Sequence, residues 1–335
     1  MVSSPLKSTK ADESITPSPK PGAASRSLVI DGTNATSCAY HRLVLPFSML
    51  DVTPRVPVFV FNRHPVCGVS GLIRLREQGV RIVADVDDLW MLERTHYLSG
   101  HYTRDGITRR TVASLALADV VMVTNEALAD QVRMINREIV IVPNALPFDS
   151  GQFTRNAGAS PGNARTPFVY AAGASHHDDI AVYRAVFEAG GVTLAGVNRV
   201  HPEWGRILKL MPRVPVTQER PVTEYMGVYD GHAVALAPLV DTAFNRCKSN
   251  IKTLEAGCKA MPIITSRVHP YLNARDRDYV LYAESAAEMR AHMDRCARDR
   301  TFVKETGEAL AAHVRRCYSL PAANEVRRQV LMAFA

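Results

Sequence analysis

Short β-branched segments alternate with longer amphipathic segments along most of this chain, and this alternation constrains the fold more than any other feature. In the first half, β-branched runs occur at 28–30, 56–61, 81–86, 119–124 and 139–143. Candidate helices lie between these runs, near 39–50, 69–78, 103–118 and 125–135. Helices that separate short strands are typical of parallel sheets, because a parallel pair needs a crossover that packs on a sheet face. The first half is therefore predicted to form one parallel α/β sheet.

The same alternation restarts in the second half. Further β-branched runs occur at 168–173, 192–197, 214–218, 233–240, 262–266 and 279–283. Candidate helices lie near 178–189, 203–211, 222–230, 249–260 and 286–299. After about residue 285 the pattern is helical to the end. The predicted fold class is α/β, with two tandem doubly wound parallel sheets, a flexible N-terminal tail and a helical C-terminus.

Two breaks in composition divide the chain. Residues 1–26 are rich in Ser, Pro, Lys and Ala and hold one Ile and one Leu, so they cannot bury enough apolar area to offset the entropy of ordering. A polar, Gly-rich segment near 149–165 is typical of a linker. The predicted units are a tail at 1–26, domains at 27–150 and 166–312 joined by a linker at 151–165, and C-terminal helices at 313–335 that can pack back on the first domain.

Composition excludes several classes of protein. With 335 residues, 47% of them hydrophobic, the chain is long enough for two globular domains. Its apolar runs fall far below the roughly 18 residues of a membrane-spanning helix, and no signal-like apolar stretch is evident, so a cytoplasmic location is expected. The six cysteines show no C-x-x-C spacing, which favours reduced thiols over a zinc site or disulfides.

The chain is moderately basic. Its formal charge is +7, and the tail contributes four basic and two acidic residues to it. The remaining excess suits phosphate-bearing ligands of many kinds and does not by itself select nucleic acid, a membrane surface or a nucleotide.

Ligands of doubly wound sheets bind at the carboxyl ends of the strands, so residues that follow strands are candidates for a site. After the first strand, Gly32 permits a tight turn, and Tyr40, His41 and Arg42 open the next helix. The G-x-G-x-x-G spacing of dinucleotide sites is absent there. These side chains either point into a cleft or cap and solvate the helix, and the sequence leaves both interpretations open.

Three carboxylates follow the third strand in the segment DVDDLW. Asp85 and Asp87 form a D-x-D, which can hold a divalent ion, whereas strand-end aspartates, Asp88 included, can equally cap the helix that follows. His96 lies farther along in a predicted loop, where a lone histidine is more typical of the surface.

In the second half, the first strand runs into GASHHDD, which holds Gly173 and His176. Adjacent histidines point in different directions on most backbones, so a phosphate-facing loop followed by an acidic helix cap fits better than a metal cluster.

The segment 237–266 is the richest. A polar loop precedes a predicted helix that begins at Ser249 and Asn250, and Lys248 and Lys252 flank this start. Exposed amides at a helix N-terminus with adjacent lysines form an anion site suited to a diphosphate. Glu255, one turn farther, can accept bonds from ribose hydroxyls. The alternative is a solvated amphipathic helix.

Two segments carry a resemblance to a known family, ADVVMVTNEALADQV with IVIVPNALP, and LAPLVDTAFNRCKSNIKTLEAGCKAMPIITS. They resemble the GT-B glycosyltransferases, which have two Rossmann-like domains, and within them the retaining family that includes sucrose synthase and bacterial polysaccharide transferases. The resemblance implies that Glu255 holds the ribose of a nucleotide sugar and that lysines hold its diphosphate. The implied donor-binding residues are Gly173, His176, Asn245, Lys248, Ser249, Asn250, Lys252 and Glu255.

The chain departs from this family at three places. The family often carries an additional glutamate eight residues before the ribose ligand, and Cys247 stands at that position. A basic residue is usual after the first strand of the second domain, where this chain has GASHHDD, so that His176 is the candidate substitute. The first domain is also short for the fold.

The resemblance implies transfer of a sugar from a nucleoside diphosphate with retention, without a metal or another cofactor. The catalytic candidates are Asp85, Asp87, Asp88 and His41, and the acceptor-side candidates are Gly32, Tyr40 and Arg42. The expected acceptor is a cell-surface or lipid-linked glycan, for which peripheral membrane contact stays open. The alternatives are a viral-type DNA glycosyltransferase that acts on a modified base in duplex DNA, an inactive nucleotide-binding protein, and a metal-dependent enzyme of the D-x-D class.

Overall fold

The computed structural model describes residues 27–31, 37–155 and 166–334. The predicted tail at 1–26, the linker segment 156–165 and Gly32 lie outside the described residues.

The first sheet is fully parallel, and its five strands lie side by side in chain order. These strands are β1 (Leu28–Asp31), β2 (Val58–Asn62), β3 (Arg81–Val86), β4 (Val120–Val123) and β5 (Ile139–Ile141). In the register, Asn62 at the end of β2 is paired with Asp85 near the end of β3. The carboxyl ends of the strands therefore form one edge, where the predicted polar residues lie.

Within residues 37–155, six helices accompany the first sheet. They are α1 (Ser37–Ala39), which continues through a π-helical turn (Tyr40–Val44) into α2 (Leu45–Ser48), and α3 (Gly68–Glu77), α4 (Ser99–Arg104), α5 (Ile107–Leu117) and α6 (Glu126–Arg133). The single helix predicted at 103–118 is two helices, because Gly106 adopts a left-handed φ of 61° between them.

Both faces of the first sheet are buried. Apolar residues of α3, α5 and α6 pack on one face, around Phe61 and Val121. The other face, which includes Val60 and Met122, is covered by Leu43 of the π-helical turn and by residues near the C-terminus of the chain. Burial on both faces explains why the strands read as continuous apolar runs.

The second sheet is also fully parallel and has six strands in the order β11-β10-β9-β6-β7-β8. They are β6 (Phe168–Ala171), β7 (Val192–Val197), β8 (Val216–Gln218), β9 (Val234–Ala237), β10 (Ile263–Ser266) and β11 (Leu281–Ala283). The direction of the strand order reverses between β6 and β9. Loops that leave these two strands diverge to opposite faces, and the crevice between them is where ligands bind in open α/β sheets.

The helices of the second half are α7 (His177–Val182), α8 (Arg184–Glu188), α9 (Pro202–Leu210), α10 (Ala243–Arg246), α11 (Ile251–Cys258), α12 (Ala286–Arg298), α13 (Arg300–Cys317) and α14 (Leu320–Met332). Short 3-10 turns occur at Ala174–His176 and Tyr225–Tyr229. The predicted helix 178–189 is divided into two, and the one predicted at 222–230 is only a 3-10 turn. Helices α11 and α13 approach closely at Gly257, where a Cβ would lie 2.7 Å from Val314.

The end of the chain returns to the first domain. Helix α13 runs continuously through the boundary predicted between 312 and 313. After it, Ser319 pairs with Leu146, and α14 packs Val330 and Leu331 against the first sheet. The Asn324 amide donates to the carbonyl of Pro46 at 2.8 Å.

The predicted fold is confirmed: two parallel α/β sheets follow each other along the chain, and all eleven strands were indicated by the sequence. Within the described ranges, no helix combines the length and the apolar character needed to cross a bilayer.

Candidate functional site

A crevice at the reversal point of the second sheet is lined by both domains. The loops that leave β6 and β9 meet there, and the first domain closes it with the segment that follows β3. The lining residues are Glu93, Thr95, His96, Ser175, Asp178, Asp179, Val240, Thr242, Phe244 and Asn245. The predicted loop GASHHDD and the loop before α11 are thus brought together in one place.

Asp179 joins these two loops from a buried position. Its carboxylate accepts hydrogen bonds from the backbone N–H of Val240 at 2.7 Å and from the Asn245 amide at 2.9 Å. Its second oxygen lies 2.7 Å from Nδ1 of His176. Burial lowers the pKa of His176, and nearby Lys248 adds to this effect. The structure therefore orients the His176 ring through Asp179, immediately after the turn that Gly173 begins.

The first domain holds the chain at Lys248, just before α11. Asn125, which caps α6, donates to the carbonyl of Lys248 at 2.9 Å, and Asn144 donates to Oγ of Ser249 at 2.7 Å. The Lys248 ammonium lies 4.6 Å from the centre of the Phe244 ring. No hydrogen bond or ion pair to this ammonium occurs among the residues that the structure describes, so its charge is available to a ligand.

Lys252 and Glu255 form a pair on α11. The ammonium of Lys252 lies 2.8 Å from the Glu255 carboxylate and donates to the hydroxyl of Tyr225 at 2.7 Å. The hydroxyl of Tyr229 donates a hydrogen bond to the same carboxylate at 2.5 Å. Burial alone would lower the pKa of Lys252, but the facing carboxylate raises it above its ordinary value, so the lysine is charged.

Asn250 has a different partner from the predicted one. Its amide donates to the buried carboxylate of Asp276 at 2.7 Å. The same carboxylate binds the His313 ring at 2.8 Å and the Tyr318 hydroxyl at 2.9 Å. The side chain of Asn250 therefore fixes the start of α11 to the body of the domain and is not available to a ligand.

Arg42 and Asp85 form a pair without exposed surface at the carboxyl edge of the first sheet. The guanidinium donates to both Asp85 oxygens at 2.9 and 2.8 Å, to the carbonyl of Val142 at 2.8 Å and to Asn144 at 3.0 Å. Asp85 was expected to line the cleft as a catalytic candidate and Arg42 to face the acceptor. The structure places both inside instead, where their mutual attraction and hydrogen bonds offset the cost of removing the two charges from water.

Asp87 and Asp88 share Arg63, which donates to them at 2.9 and 2.8 Å. Burial opposes ionisation of Asp87, yet Arg63 holds its pKa well below the ordinary value of 3.8. Cys38, Asp87 and Asp88 each offer one atom that can bind a metal ion, and these three atoms lie within 4.8 Å of one another. Since a guanidinium already lies against these carboxylates, this cluster does not fit a divalent ion as arranged, and both oxygens of Asp85 are taken by Arg42.

His41 faces the second domain. Its ring lies edge-on to Phe153, with centroids 6.3 Å apart, and to Tyr40 at 5.3 Å. Burial lowers its pKa, while the charge of Glu255 across the cleft acts in the opposite direction. Its Nδ1 is buried without a hydrogen-bond partner among the described residues. His41 is thus a catalytic candidate that senses the charges of Lys252 and Glu255 on α11.

Comparisons with known proteins rest on structure alone, since no family model and no curated protein matches the chain. A sucrose-phosphate synthase from Thermosynechococcus elongatus is similar, with a TM-score of 0.61, 16% identity, and 82% of this chain and 73% of that one covered. A glycosyltransferase from Rickettsia africae has a TM-score of 0.55 and 12% identity, covering 84% and 78%. A UDP-forming α,α-trehalose-phosphate synthase from Burkholderia xenovorans has a TM-score of 0.57 and 14% identity, covering 84% and 74%.

The chain has the two-domain GT-B fold of these glycosyltransferases.

Lys252 and Glu255, two of the predicted donor ligands, lie 2.8 Å apart on α11, and, besides burial, the charges of Lys248 and Lys252 both lower the pKa of His176. No sequence motif indicates the groups that surround them. Tyr225 and Tyr229 come from a 3-10 turn that shows no motif, and His96 comes from a loop in which a lone histidine gives no signal. Only its position after β3, at the carboxyl edge, could have indicated His96.

Proposed function

We propose that this protein is a glycosyltransferase that moves a sugar from a nucleoside-diphosphate donor to an acceptor hydroxyl. One observation carries this proposal: Lys252 lies 2.8 Å from the Glu255 carboxylate, and, besides burial, the charges of Lys248 and Lys252 both lower the pKa of His176, which follows β6 at the reversal point of the second sheet. A diphosphate needs cations and N–H donors, and a ribose needs a fixed acceptor, so these groups match both parts of such a donor.

The proposed chemistry is electrostatic. When the bond between the sugar and the diphosphate breaks, negative charge grows on the leaving phosphate, and donors fixed beforehand stabilise it most effectively. Lys248 is anchored through its backbone by Asn125, and Lys252 is held by Tyr225 and Glu255. Their positions therefore require little reorganisation during the reaction.

The Glu255 carboxylate is nearly buried, and its contacts with Lys252 and Tyr229 both fall on one oxygen, Oε2. Since no hydrogen bond to Oε1 occurs in the described part of the chain, we infer that this oxygen accepts from a ribose hydroxyl of the donor. Lys252 can then stay beside Glu255 while its charge attracts the diphosphate.

The donor also needs room. The cavity between the domains measures about 30 Å³, enough for about one water molecule and not for a nucleotide. We infer that the two domains part to admit the donor and close on it afterwards, which would exclude water from the reacting centre.

Retention of the anomeric configuration, independence of metal and a glycan or lipid-linked acceptor remain proposals that the family resemblance supports. A structure of TarM from S. aureus is a complex with UDP, α-GlcNAc-glycerol and fondaparinux, and it is similar to this chain with a TM-score of 0.55 and 10% identity, covering 82% of this chain and 55% of that one. In the part of the chain that the structure describes, no feature favours duplex DNA as acceptor.

The test begins with binding of UDP and GDP by calorimetry to the full chain. Lys248→Met should weaken binding about tenfold, which corresponds to about 1.4 kcal/mol, because one charge-assisted bond to phosphate is lost. Lys304→Met is the matched control, since Lys304 lies exposed on α13. If the wild type, Lys248→Met and Lys304→Met bind UDP and GDP with equal affinity, Lys248 does not bind the diphosphate and the proposal is refuted.

Activity is tested by incubating the protein with nucleotide sugars and following release of free nucleoside diphosphate. Release that depends on an added glycan or lipid-linked acceptor supports transfer. Tight nucleotide binding without any release would instead support the alternative of an inactive nucleotide-binding protein.

A further inference from the structure

The loop between β3 and α4 crosses from the first domain to the second. His96 on this loop lies edge-on to Phe244 of the second domain, with ring centroids 5.1 Å apart. Tyr97 stacks on His96 at 5.0 Å and contacts the ring of His201 at 5.6 Å. Rings from both domains therefore fix the plane of the His96 imidazole at the wall of the crevice.

The hydrogen bonding of His96 determines where its proton lies. The backbone N–H of Leu98 donates to Nδ1 of His96 at 3.2 Å. A ring nitrogen that accepts a hydrogen bond carries no proton, so the neutral ring has its N–H at Nε2. Burial lowers the pKa of His96, and the charge of Lys248 acts in the same direction, which favours this neutral form.

The Nε2 atom has no acceptor. It is buried and lacks a hydrogen-bond partner in the described part of the chain, although His96 lines the crevice. A buried N–H without an acceptor is unfavourable, so this atom is suited to an oxygen that the protein itself does not supply.

The surroundings select the chemistry of that oxygen. The Lys248 ammonium lies over the same Phe244 ring that His96 contacts, so a cation and an N–H donor flank one aromatic side chain. Three carboxylates line the crevice, and two of them already have partners: Asp179 binds Val240, Asn245 and His176, and Asp178 lies 3.0 Å from Nδ1 of His177. The third belongs to Glu93. A ligand that satisfies both donors is an anion with several oxygens, such as a phosphate.

We propose that Nε2–H of His96 donates to a phosphate oxygen of the nucleoside diphosphate, so that the first domain supplies a ligand to the leaving group. This inference rests on the proposed function. It means that closure of the domains brings His96 against the diphosphate and adds a donor that the second domain lacks when it stands alone.

The experiment compares His96→Ala, His96→Gln and the control His101→Ala, which removes an exposed histidine of α4 paired with Asp105. Affinities for UDP and for uridine are measured by calorimetry. We expect His96→Ala to weaken UDP binding about tenfold and to leave uridine unchanged, because only UDP carries the phosphate. His96→Gln, which keeps an N–H donor, should recover part of the loss, and His101→Ala should bind like the wild type.

A second measurement does not depend on the variants folding. In ¹⁵N spectra of the wild-type histidines, UDP should shift the Nε2 resonance of His96, and Nδ1 should keep the chemical shift of an unprotonated acceptor. An unmoved Nε2 resonance in UDP-saturated protein would overturn the proposal.

Three further outcomes are distinct. If folded His96→Ala binds UDP normally while Lys248→Met binds it weakly, the role of His96 is refuted and the proposed function stands. Equal losses for UDP and uridine would place His96 against the nucleoside instead of the phosphate and also overturn the proposal. If the wild type binds neither UDP nor GDP, the proposed function and this inference fail together.

Discussion

Replacing Asp85 by Asn distinguishes a structural role of this carboxylate from a catalytic one. Asp85 has no exposed surface, and it accepts two bonds from Arg42, at 2.9 and 2.8 Å, and one from Asn62 at 3.1 Å. The substitution keeps the shape of the side chain and removes its charge. The buried guanidinium of Arg42 then keeps only neutral partners, at Val142 and Asn144.

The magnitude follows from the burial of both partners. Removing one member of a buried ion pair leaves an uncompensated charge and destabilises a protein by about 3–5 kcal/mol. The total stability of a domain is about 5–15 kcal/mol, so Asp85→Asn should shift the urea midpoint markedly. Asp88→Asn is the control, because its side chain is 25% exposed and its bond to Arg63 should contribute about 0–1 kcal/mol.

The assay is urea unfolding followed by circular dichroism, with nucleotide release measured on the same samples. Combining Asp85→Leu with Arg42→Met should cost less stability than the sum of the two single changes, because the double variant leaves no unpaired charge. If Asp85→Asn abolishes transfer with an unchanged urea midpoint, the structural argument is refuted and the carboxylate acts on substrate.

Three other predictions concern the stability effects of Arg327 and of the Arg63–Asp87 pair, and the metal dependence of transfer. Arg327 is 1% exposed and its Nε has no partner among the described residues, so Arg327→Met should raise stability by about 1–3 kcal/mol, seen as a higher Tm; a lower Tm would contradict this. Asp87 has a depressed pKa in the folded state, so its contribution to stability is complete above its ordinary pKa of 3.8 and is lost as the pH falls below it. Arg63→Met should flatten that acid dependence in unfolding curves at pH 3 to 5, and a profile as steep as the wild type's would refute the assignment. Transfer should persist in EDTA, because lysines already face the diphosphate, and loss restored by manganese would require a metal role.

The sheets could be predicted from the sequence because strands buried on both faces must be apolar throughout. Every predicted run, from the one that begins at Leu28 to the one that contains Leu281, contains a strand. Helix lengths were less predictable. Periodicity alone could not show that Gly106 adopts a left-handed conformation or that the segment around Tyr225 forms only a 3-10 turn.

The sequence can indicate candidate residues where they belong to a pattern that is local in the chain. A helix start with lysines on either side is such a pattern, and it makes Lys248, Lys252 and Glu255 a prediction for the donor site. The pairing of Arg42 with Asp85 depends on residues 43 positions apart that meet at a sheet edge, so no local pattern could separate a buried ion pair from a cleft carboxylate. His96 was inconspicuous for the same reason, since its partner Phe244 belongs to the other domain.

Cys247 shows how the loop before α11 is joined to the first domain. The family resemblance places a glutamate at this position, but Cys247 is 3% exposed and packs with Phe244 into the apolar core of the first sheet. Burial there raises the pKa of its thiol to about 11, and an ionised glutamate would be costly at the same place. Because this segment is bound to the first domain through Asn125 while Lys252 is bound to Tyr225 of the second, separation of the domains must either break the Asn125 contact or move Lys248 away from Lys252. If Lys248 stays with the first domain, only the closed arrangement offers both lysines to one diphosphate, and closure would then assemble the site as well as cover it.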